Sequence, residues 1–423
     1  MKRAIVLSGG GAQGAYQVGV WRALRKLHIK YDIITGTSVG AINGALMVQK
    51  DYFKALWMWY YLDFSLIFNE KLKNNYYTPD GKKEIIKMYT KNIFFNGGMD
   101  VNKLETALDK TLNINKFYRS NINYGLVMVK FPNLKPVFLM KKQIPKFQLK
   151  DHIIASATCF PAFKKKQINE DFFIDGGYYD NLPINLAIDM QADEIIAIDL
   201  STIGIKQRVK NKDVKITYIA PRNDLGSFLI FHKDLSRRCI KFGYNDTMKT
   251  FKKLDGNKYT FKHHHLEKNL NRYQYRLIEK MEFIFKFPKQ SKSILNQLIK
   301  ITNYYQIINN NLIATKKIIN NTIEYTGDVF RVEETNIYDI NRYNHILVDK
   351  LALIDHLDIN LIEQKIKNND IISLLNSGLI IKYIYNRMMM MEDDVKAKKE
   401  LCRLALILPK EFMSALYIYV VNK

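Results

Sequence analysis

The sequence predicts an α/β protein with a mostly parallel central sheet flanked by helices, followed by a mainly helical C-terminal extension. Three observations carry this. The first 50 residues alternate strand and helix signals. Further short apolar runs recur up to about residue 220. Beyond about residue 254 the glycines thin out and long stretches rich in Ile, Asn, Lys and Tyr take over. Ala4 to Leu7 is an apolar run ended by glycines, and Ala15 to Leu27 carries Val18, Trp21, Leu24 and Leu27 at helical spacing. Ile33-Ile34 leads into a second glycine-flanked turn, after which Ala41 to Val48 reads as a helix. Strand, helix, strand, helix implies parallel strands joined by crossovers. Further strands are expected at Tyr124 to Lys130, Val137 to Met140, Phe172 to Asp175, Glu194 to Asp199 and Ile216 to Ala220. The expected division is 1–253 for an α/β domain and 254–423 for the helical region. In the latter, Gly327 and Val329 to Val332 suggest a short strand or hairpin between Glu324 and Tyr338.

Composition narrows the class. With 423 residues, 47% hydrophobic and 25% charged, the chain can bury a real core, and wholesale disorder is excluded. The net charge is +24. Residues 1–250 hold 38 Lys and Arg against 22 Asp and Glu, a net of +16; residues 251–423 hold 27 against 19, a net of +8. Such a surface suits an anionic membrane or another polyanion, and it also keeps a protein soluble. Cys159, Cys239 and Cys402 are far apart and suggest neither a disulfide framework nor a zinc site. The first apolar run is too short for the core of a signal peptide, and no 18 apolar residues run uninterrupted. A cytoplasmic protein with peripheral membrane contact is therefore expected.

Gly9, Gly11 and Gly14 fit G-x-G-x-x-G between a strand and a helix, which suits a dinucleotide phosphate. That fingerprint also wants an acid at the end of the second strand. Asp32 precedes Ile33-Ile34, at the wrong end. The same loop has a second reading. Backbone N–H groups at Gly10, Gly11 and Ala12, at the positive end of a helix, could stabilise the oxyanion of an ester under attack.

Gly36-Thr37-Ser38-Val39-Gly40 is G-x-S-x-G between a strand and a helix, the context of a nucleophile elbow. Its serine needs a base. The eight histidines are poorly placed: His28 sits in the turn before the second strand, and His263-His264-His265 fall near the domain boundary. Asp175 is the stronger candidate. It ends the apolar run Phe172-Phe173-Ile174, which would bring it to the carboxyl edge of the sheet beside Ser38, and Gly176-Gly177 leaves room for substrate.

These motifs, in this order, resemble the patatin-like phospholipase family over about residues 1–250. The family's glycine-rich loop, G-x-S-x-G and D-G-G stand here as Gly9-Gly10-Gly11-Ala12-Gln13-Gly14, Gly36 to Gly40 and Asp175-Gly176-Gly177. Ala155-Ser156-Ala157-Thr158-Cys159-Phe160-Pro161 and Asp180-Asn181-Leu182-Pro183 match as well. The resemblance implies a patatin-like sheet, a Ser38–Asp175 dyad and an oxyanion hole over Gly9, Gly10, Gly11, Ala12 and Gly14. It also implies hydrolysis of phospholipid or other acyl-ester lipids, of the phospholipase A or lysophospholipase type, without cofactor or metal. Many members carry Arg or Lys where this chain has Gln13, so a cationic contribution to the loop is missing.

The partners expected are acyl-ester lipid and an anionic membrane surface, not nucleic acid. Two other readings stay open, a nucleotide-binding module using the Gly9 to Gly14 loop and a catalytically weak lipid- or partner-binding protein. Tyr52 to Phe68 is dense in aromatics, expected mainly as helical core, with an acyl channel or bilayer contact as the alternative. Lys164-Lys165-Lys166 reads as a solvated hairpin tip rather than a lipid-phosphate site, and Met388 to Met391 as a core helix end.

Overall fold

The computed structural model describes residues 1–63, 67, 78–285, 312–354, 362, 364–365 and 376–423. The chain divides into two compact units, Met1–Phe251 and Lys252–Lys423.

The first unit is built on an eight-stranded sheet. Its strands are β1 (Arg3–Leu7), β2 (Ile33–Thr37), β3 (Asn123–Phe131), β4 (Lys135–Met140), β5 (Lys166–Ile168), β6 (Asp171–Asp175), β7 (Glu194–Ile198) and β8 (Lys215–Ile219). Neighbours in the run β3-β2-β1-β7-β8 are all parallel. The central strands are apolar on both faces because helices cover both. Ala4 to Leu7, Ile33 and Ile34, and Ile195 to Ile198 are all buried.

Strand β3 does more than extend this run. Its first half, Asn123–Val127, pairs in parallel with β2, with Thr37 opposite Val127. Its second half, Met128–Phe131, pairs antiparallel with β6, with Asp175 opposite Met128. Strand β4 pairs with Gly125–Lys130, overlapping both, so it must occupy the other edge of β3. Strands β2 and β6 therefore share one edge of β3, end to end, and their carboxyl ends run into each other. The sequence reads Asp175 as the end of a strand aligned with the others. It reaches the level of Ser38 by the opposite approach, because β3 overhangs the parallel sheet and offers its free edge to β6. The short β5, absent from the sequence expectation, pairs with β6 through Lys166–Ile168.

The helices described in this unit are α1 (Ala15–Lys26), α2 (Val39–Val48), α3 (Tyr52–Tyr60), α4 (Pro79–Asn96), α5 (Asn102–Thr111), α6 (Ile114–Arg119), α7 (Leu149–Ser156), α8 (Ile184–Asp189) and α9 (Lys233–Thr250). Helices α1 and α9 cross at backbone contact. A Cβ on Gly19 would lie 2.0 Å from the Ile240 carbonyl oxygen, and one on Gly243 would lie 2.0 Å from that of Tyr16. Beside this crossing the Tyr16 hydroxyl donates to Asp246 at 3.1 Å, and Lys249 pairs with Asp246 at 2.9 Å, both charged side chains being buried. The tyrosine bond ties α1 to α9, and Lys249, three residues further along α9, compensates the buried Asp246 charge, which would be costly there alone.

The second unit has helices α10 (His265–Phe285), α11 (Leu312–Val329), α12 (Ile340–Ala352), α13 (Ser377–Met390), α14 (Val395–Ile407) and α15 (Pro409–Asn422). A small sheet of β9 (Leu254–Asp255), β10 (Thr260–Lys262) and β11 (Ile337–Tyr338) accompanies them. The expected strand at Val329 to Val332 does not form. Helix α11 continues through Gly327 to Val329, and the strand comes at Ile337–Tyr338, where it pairs in parallel with β10. Met388 and Met391 are buried in this unit's core, while Met389 and Met390 are half exposed. The three adjacent histidines face three different acids, Asp255, Glu267 and Asp339. Among the described residues no helix is long and apolar enough to cross a membrane.

The close crossing of α1 and α9 is testable. Gly19→Val should lower the stability of the first unit by about 1–3 kcal/mol, because the backbone of α9 leaves no room for a side chain. Denaturant unfolding followed by tryptophan fluorescence reads this unit selectively, since all three tryptophans, Trp21, Trp57 and Trp59, lie within it.

Candidate functional site

Ser38 stands between β2 and α2 with φ 56° and ψ −128°, a conformation that L-residues rarely adopt outside tight turns. The turn is possible because its flanking glycines pass within backbone contact. A Cβ on Gly36 would lie 2.3 Å from the Gly40 carbonyl oxygen, and one on Gly40 would lie 2.4 Å from that of Leu7. The Ser38 N–H donates to the Ser156 hydroxyl at 3.0 Å, and that hydroxyl donates onward to the Val127 carbonyl at 2.6 Å. Ser156, the last residue of α7, thus ties the elbow to β3.

Asp175 meets it from the end of β6. Its N–H donates to the Thr158 carbonyl at 2.8 Å. Its carboxylate accepts from the Gly177 N–H at 2.8 Å and lines the same cavity as Ser38. Burial pushes the carboxyl up from 3.8 to about 6, while the Ser38 hydroxyl and the Gly177 amide pull it down. Cys159 lies nearby, and burial, with Asp175 close by, pushes its thiol up to about 12.

The glycine loop is held from two sides. The Gly9 N–H donates to the Asn181 carbonyl at 3.1 Å, and the Gly9 carbonyl accepts from Thr202 Oγ1 at 2.8 Å. On the other side the Ala12 N–H donates to the Phe228 carbonyl at 2.8 Å, and Gln13 Nε2 donates to the Gly226 carbonyl at 2.6 Å. The amide of Ala12 is therefore spent on the loop's own anchorage, and so is that of Gly9. Gly10 and Gly11 line the cavity that holds Ser38 and Asp175, and among the described residues their amides donate to no acceptor. Of the loop residues predicted as oxyanion donors, these two keep unspent amides at the cavity, while the amides of Gly9 and Ala12 anchor the loop. Gln13 acts as a clamp on the segment 226–228, its Oε1 buried without a partner.

That cavity has a volume of about 520 Å³. Beyond Ser38 and Asp175 its wall is largely apolar, including Ile42, Met58, Trp59, Leu62, Val101, Leu104, Phe163, Phe228 and Phe231. No histidine is among the described lining residues. Asp32 is remote from the loop: its carboxylate accepts from the Arg3 N–H at 3.0 Å at the start of β1, the opposite end of the strand from Gly9. Among the described residues no group of His, Cys, Asp or Glu is arranged to hold a metal.

The aromatic stretch is divided. Met58, Trp59 and Leu62 line the cavity, and Trp59 Nε1 donates to Asn43 Oδ1 at 2.8 Å. Phe53, Trp57, Tyr60 and Tyr61 are exposed, so the expectation of plain core holds for one face only. Phe64 and Phe68 lie outside the described residues. The three lysines are each occupied: Lys164 pairs with Asp100, Lys165 lies over the rings of Phe131 and Phe172, and Lys166 in β5 pairs with Glu105 and Asp151. They form no hairpin tip and no free anion site. Conversely, nothing in the sequence marks Gly226 to Phe228 or Thr202 as supports of the loop. Ser156 lies in a segment that the family resemblance does single out.

Ser156→Ala should misplace the Ser38 backbone without touching substrate. Loss of a buried hydrogen-bond pair should cost about 1–3 kcal/mol of stability. If Ser38 is the nucleophile, kcat for a soluble ester should fall while KM stays near its original value, and Ser156→Thr should restore part of the loss.

Residues 5–188 match the family model described as "Patatin-like phospholipase". Curated relatives include patatin-like phospholipase domain-containing protein 7 of Rattus norvegicus, 55% identical over 47 residues, which are 11% of this chain and 4% of that one. Lysophospholipase NTE1 of Mycosarcoma maydis is 24% identical over 204 residues, 48% of this chain and 10% of its own. Human patatin-like phospholipase domain-containing protein 6 is 24% identical over 215 residues, 47% of this chain and 13% of its own. The chain thus spans a small part of the curated relatives it matches. Among solved structures, VipD from Legionella pneumophila aligns over 98% of this chain and 91% of its own, with 15% identity and a TM-score of 0.39.

Proposed function

We propose that this chain, which carries a patatin-like phospholipase domain at residues 5–188, is a serine hydrolase of lipid acyl esters that works through Ser38 and Asp175. The observation that carries the reading is the meeting of Ser38 and the buried Asp175 carboxylate, brought together by adjacent positions of β3, at the wall of an apolar cavity that Gly10 and Gly11 also line. Each part answers a chemical need. Asp175 accepts the hydroxyl proton as Ser38 Oγ attacks the ester carbonyl, and it returns that proton to the leaving alcohol. The acyl group is then held on Ser38 until water, deprotonated by the same carboxylate, displaces it. Charge developing on the carbonyl oxygen meets the amides of Gly10 and Gly11, in a site dry enough for two donors to matter.

A carboxylate at its ordinary acidity is a poor base for a serine hydroxyl, and burial corrects part of that mismatch. With Asp175 raised to about 6, hydrolysis of a soluble ester should increase with pH through a midpoint near 6 and level off above it. The same shift has a consequence for folding. A carboxyl raised in the folded state stabilises the protein fully below its unfolded value of 3.8, and that contribution is lost as pH rises through about 6. Asp175→Asn should therefore be more stable than wild type above pH 6, by about 3 kcal/mol at most, and the two should converge in acid. Thermal or denaturant midpoints at pH 4 and pH 8 check this.

The decisive measurement is labelling with a fluorophosphonate, followed by mass spectrometry of the adduct. Modification at Ser38, absent in Ser38→Ala and strongly reduced in Asp175→Asn, is the expected outcome. Vesicle or soluble-ester hydrolysis that persists in Ser38→Ala would overturn the dyad. A wild-type chain that binds lipid and never reacts would instead be a binding protein.

A further inference from the structure

Helix α3 is nine residues long, and its two faces have different chemistry. Met58 and Trp59 line the cavity with Ser38. On the other side Phe53 is 73% exposed, Trp57 60% and Tyr61 51%. Ala55 on the inner side is fully buried, so the helix is firmly seated and the outward rings are not the consequence of a loose element. Trp57 and Tyr61 lie against each other, ring centroids 5.6 Å apart, and form a continuous aromatic surface rather than scattered side chains.

The charge around this surface is cationic. Arg25 places its guanidinium 4.4 Å from the Tyr52 ring and 5.4 Å from that of Phe53. Arg237 lies 4.2 Å over Tyr60 and donates from Nε to the Tyr60 carbonyl at 3.2 Å. Lys54 is exposed on the helix itself. Asp234 partly offsets Arg237 at 3.7 Å. Tryptophan, tyrosine and phenylalanine mixed with arginine and lysine is the composition that settles at the headgroup level of a bilayer, where ring bodies are dry and cations meet anionic lipid.

We infer that the outer face of α3 docks on an anionic lipid bilayer, so that the helix forms a wall between that membrane and the cavity. An α-helix with side chains is about 10 Å thick, so docking on the outer face brings the cavity within one helix of the lipid. The proposal rests on the lipid-hydrolase reading for its purpose, but its test does not. The net charge of +16 on residues 1–250 and the three cations named above favour anionic lipid over a basic protein surface.

Trp57 supplies the probe, because Trp21 and Trp59 are each only 3% exposed. The full-length chain carrying Ser38→Ala, which cannot turn lipid over by the proposed route, is mixed with vesicles of phosphatidylcholine and phosphatidylserine in about a two-to-one ratio. A fraction of the phosphatidylcholine is brominated along its acyl chains. Docking through α3 shifts the tryptophan emission to shorter wavelength and quenches it, and both effects disappear in Trp57→Phe. Phe53→Ser combined with Tyr61→Ser lowers the bound fraction by about tenfold, at unchanged circular dichroism and unchanged thermal midpoint. Vesicle binding with unquenched Trp57 overturns the proposal and assigns docking to another face. So does failure to bind vesicles, and so does self-association that the same double variant abolishes, which assigns the face to a second copy of the chain. Fluorophosphonate labelling of the wild type decides the hydrolase reading separately, so a chain that labels without docking and one that docks without labelling are distinguished.

Discussion

The site depends on one edge of one strand. Strand β3 is nine residues long, and β2 covers only the first five of its residues along the edge they share. The remaining four would present unpaired backbone groups beside a buried turn, and β6 satisfies them by running in from the opposite direction. Two carboxyl-terminal strand ends are thereby forced to the same level, Thr37 at Val127 and Asp175 at Met128. Neither Ser38 nor Asp175 has to be reached by a long flexible side chain. Their proximity is fixed by ladder hydrogen bonds, and Ser156 locks the turn to the carbonyl of Val127, at the boundary between the two pairings.

Electrostatics at this junction follow from dryness. A carboxylate that is 5% exposed, has no cation beside it among the described residues and accepts one backbone amide has a poorly compensated charged form. That is a structural cost, and in the proposed reading it is also what makes the group basic enough to be useful. Asp180, four residues after the Gly176 turn begins, shows that burial alone is not the signature. It too is pushed up to about 6, yet it faces backbone amides of Leu182 and Gln207 and no hydroxyl nucleophile. The difference between a structural acid and a candidate base lies in what the carboxylate touches.

Much of this was legible in the sequence because it is local. Gly36 to Gly40, the Gly9 to Gly14 loop and Asp175-Gly176-Gly177 each announce a tight turn after an apolar run, and seven of the eight strands of the large sheet stand where alternating apolar runs predict them. What was not legible is long-range. The direction of β6 depends on how far β3 overhangs β2, and no periodicity in Phe172 to Asp175 encodes that. Likewise Ala12 looks like an oxyanion donor until the Phe228 carbonyl, more than 200 residues away, takes its N–H. Lys164 to Lys166 reads as a solvated charge run because its partners Asp100, Glu105 and Asp151 are brought to it only by tertiary packing. In the patch from Glu324 to Tyr338 a short strand does form, but at Ile337–Tyr338 rather than at Val329 to Val332, because the helix runs on through Gly327 to Val329.

The loop at Gln13 shows how a change in one contribution moves the burden to others. In the proposed reading, with Gln13 in place of a cation, charge developing at the oxyanion is met by backbone dipoles, so their aim must be rigid. The chain supplies that rigidity from outside the loop. Asn181 and Thr202 grip Gly9 on one side, and Gly226 and Phe228 grip Gln13 and Ala12 on the other. Phe228 also lines the cavity, so the segment that fixes the donors is in contact with whatever fills the site. Filling the cavity and aiming the amides are therefore coupled: an apolar chain packed against Phe228 would press on the same residue that holds Ala12.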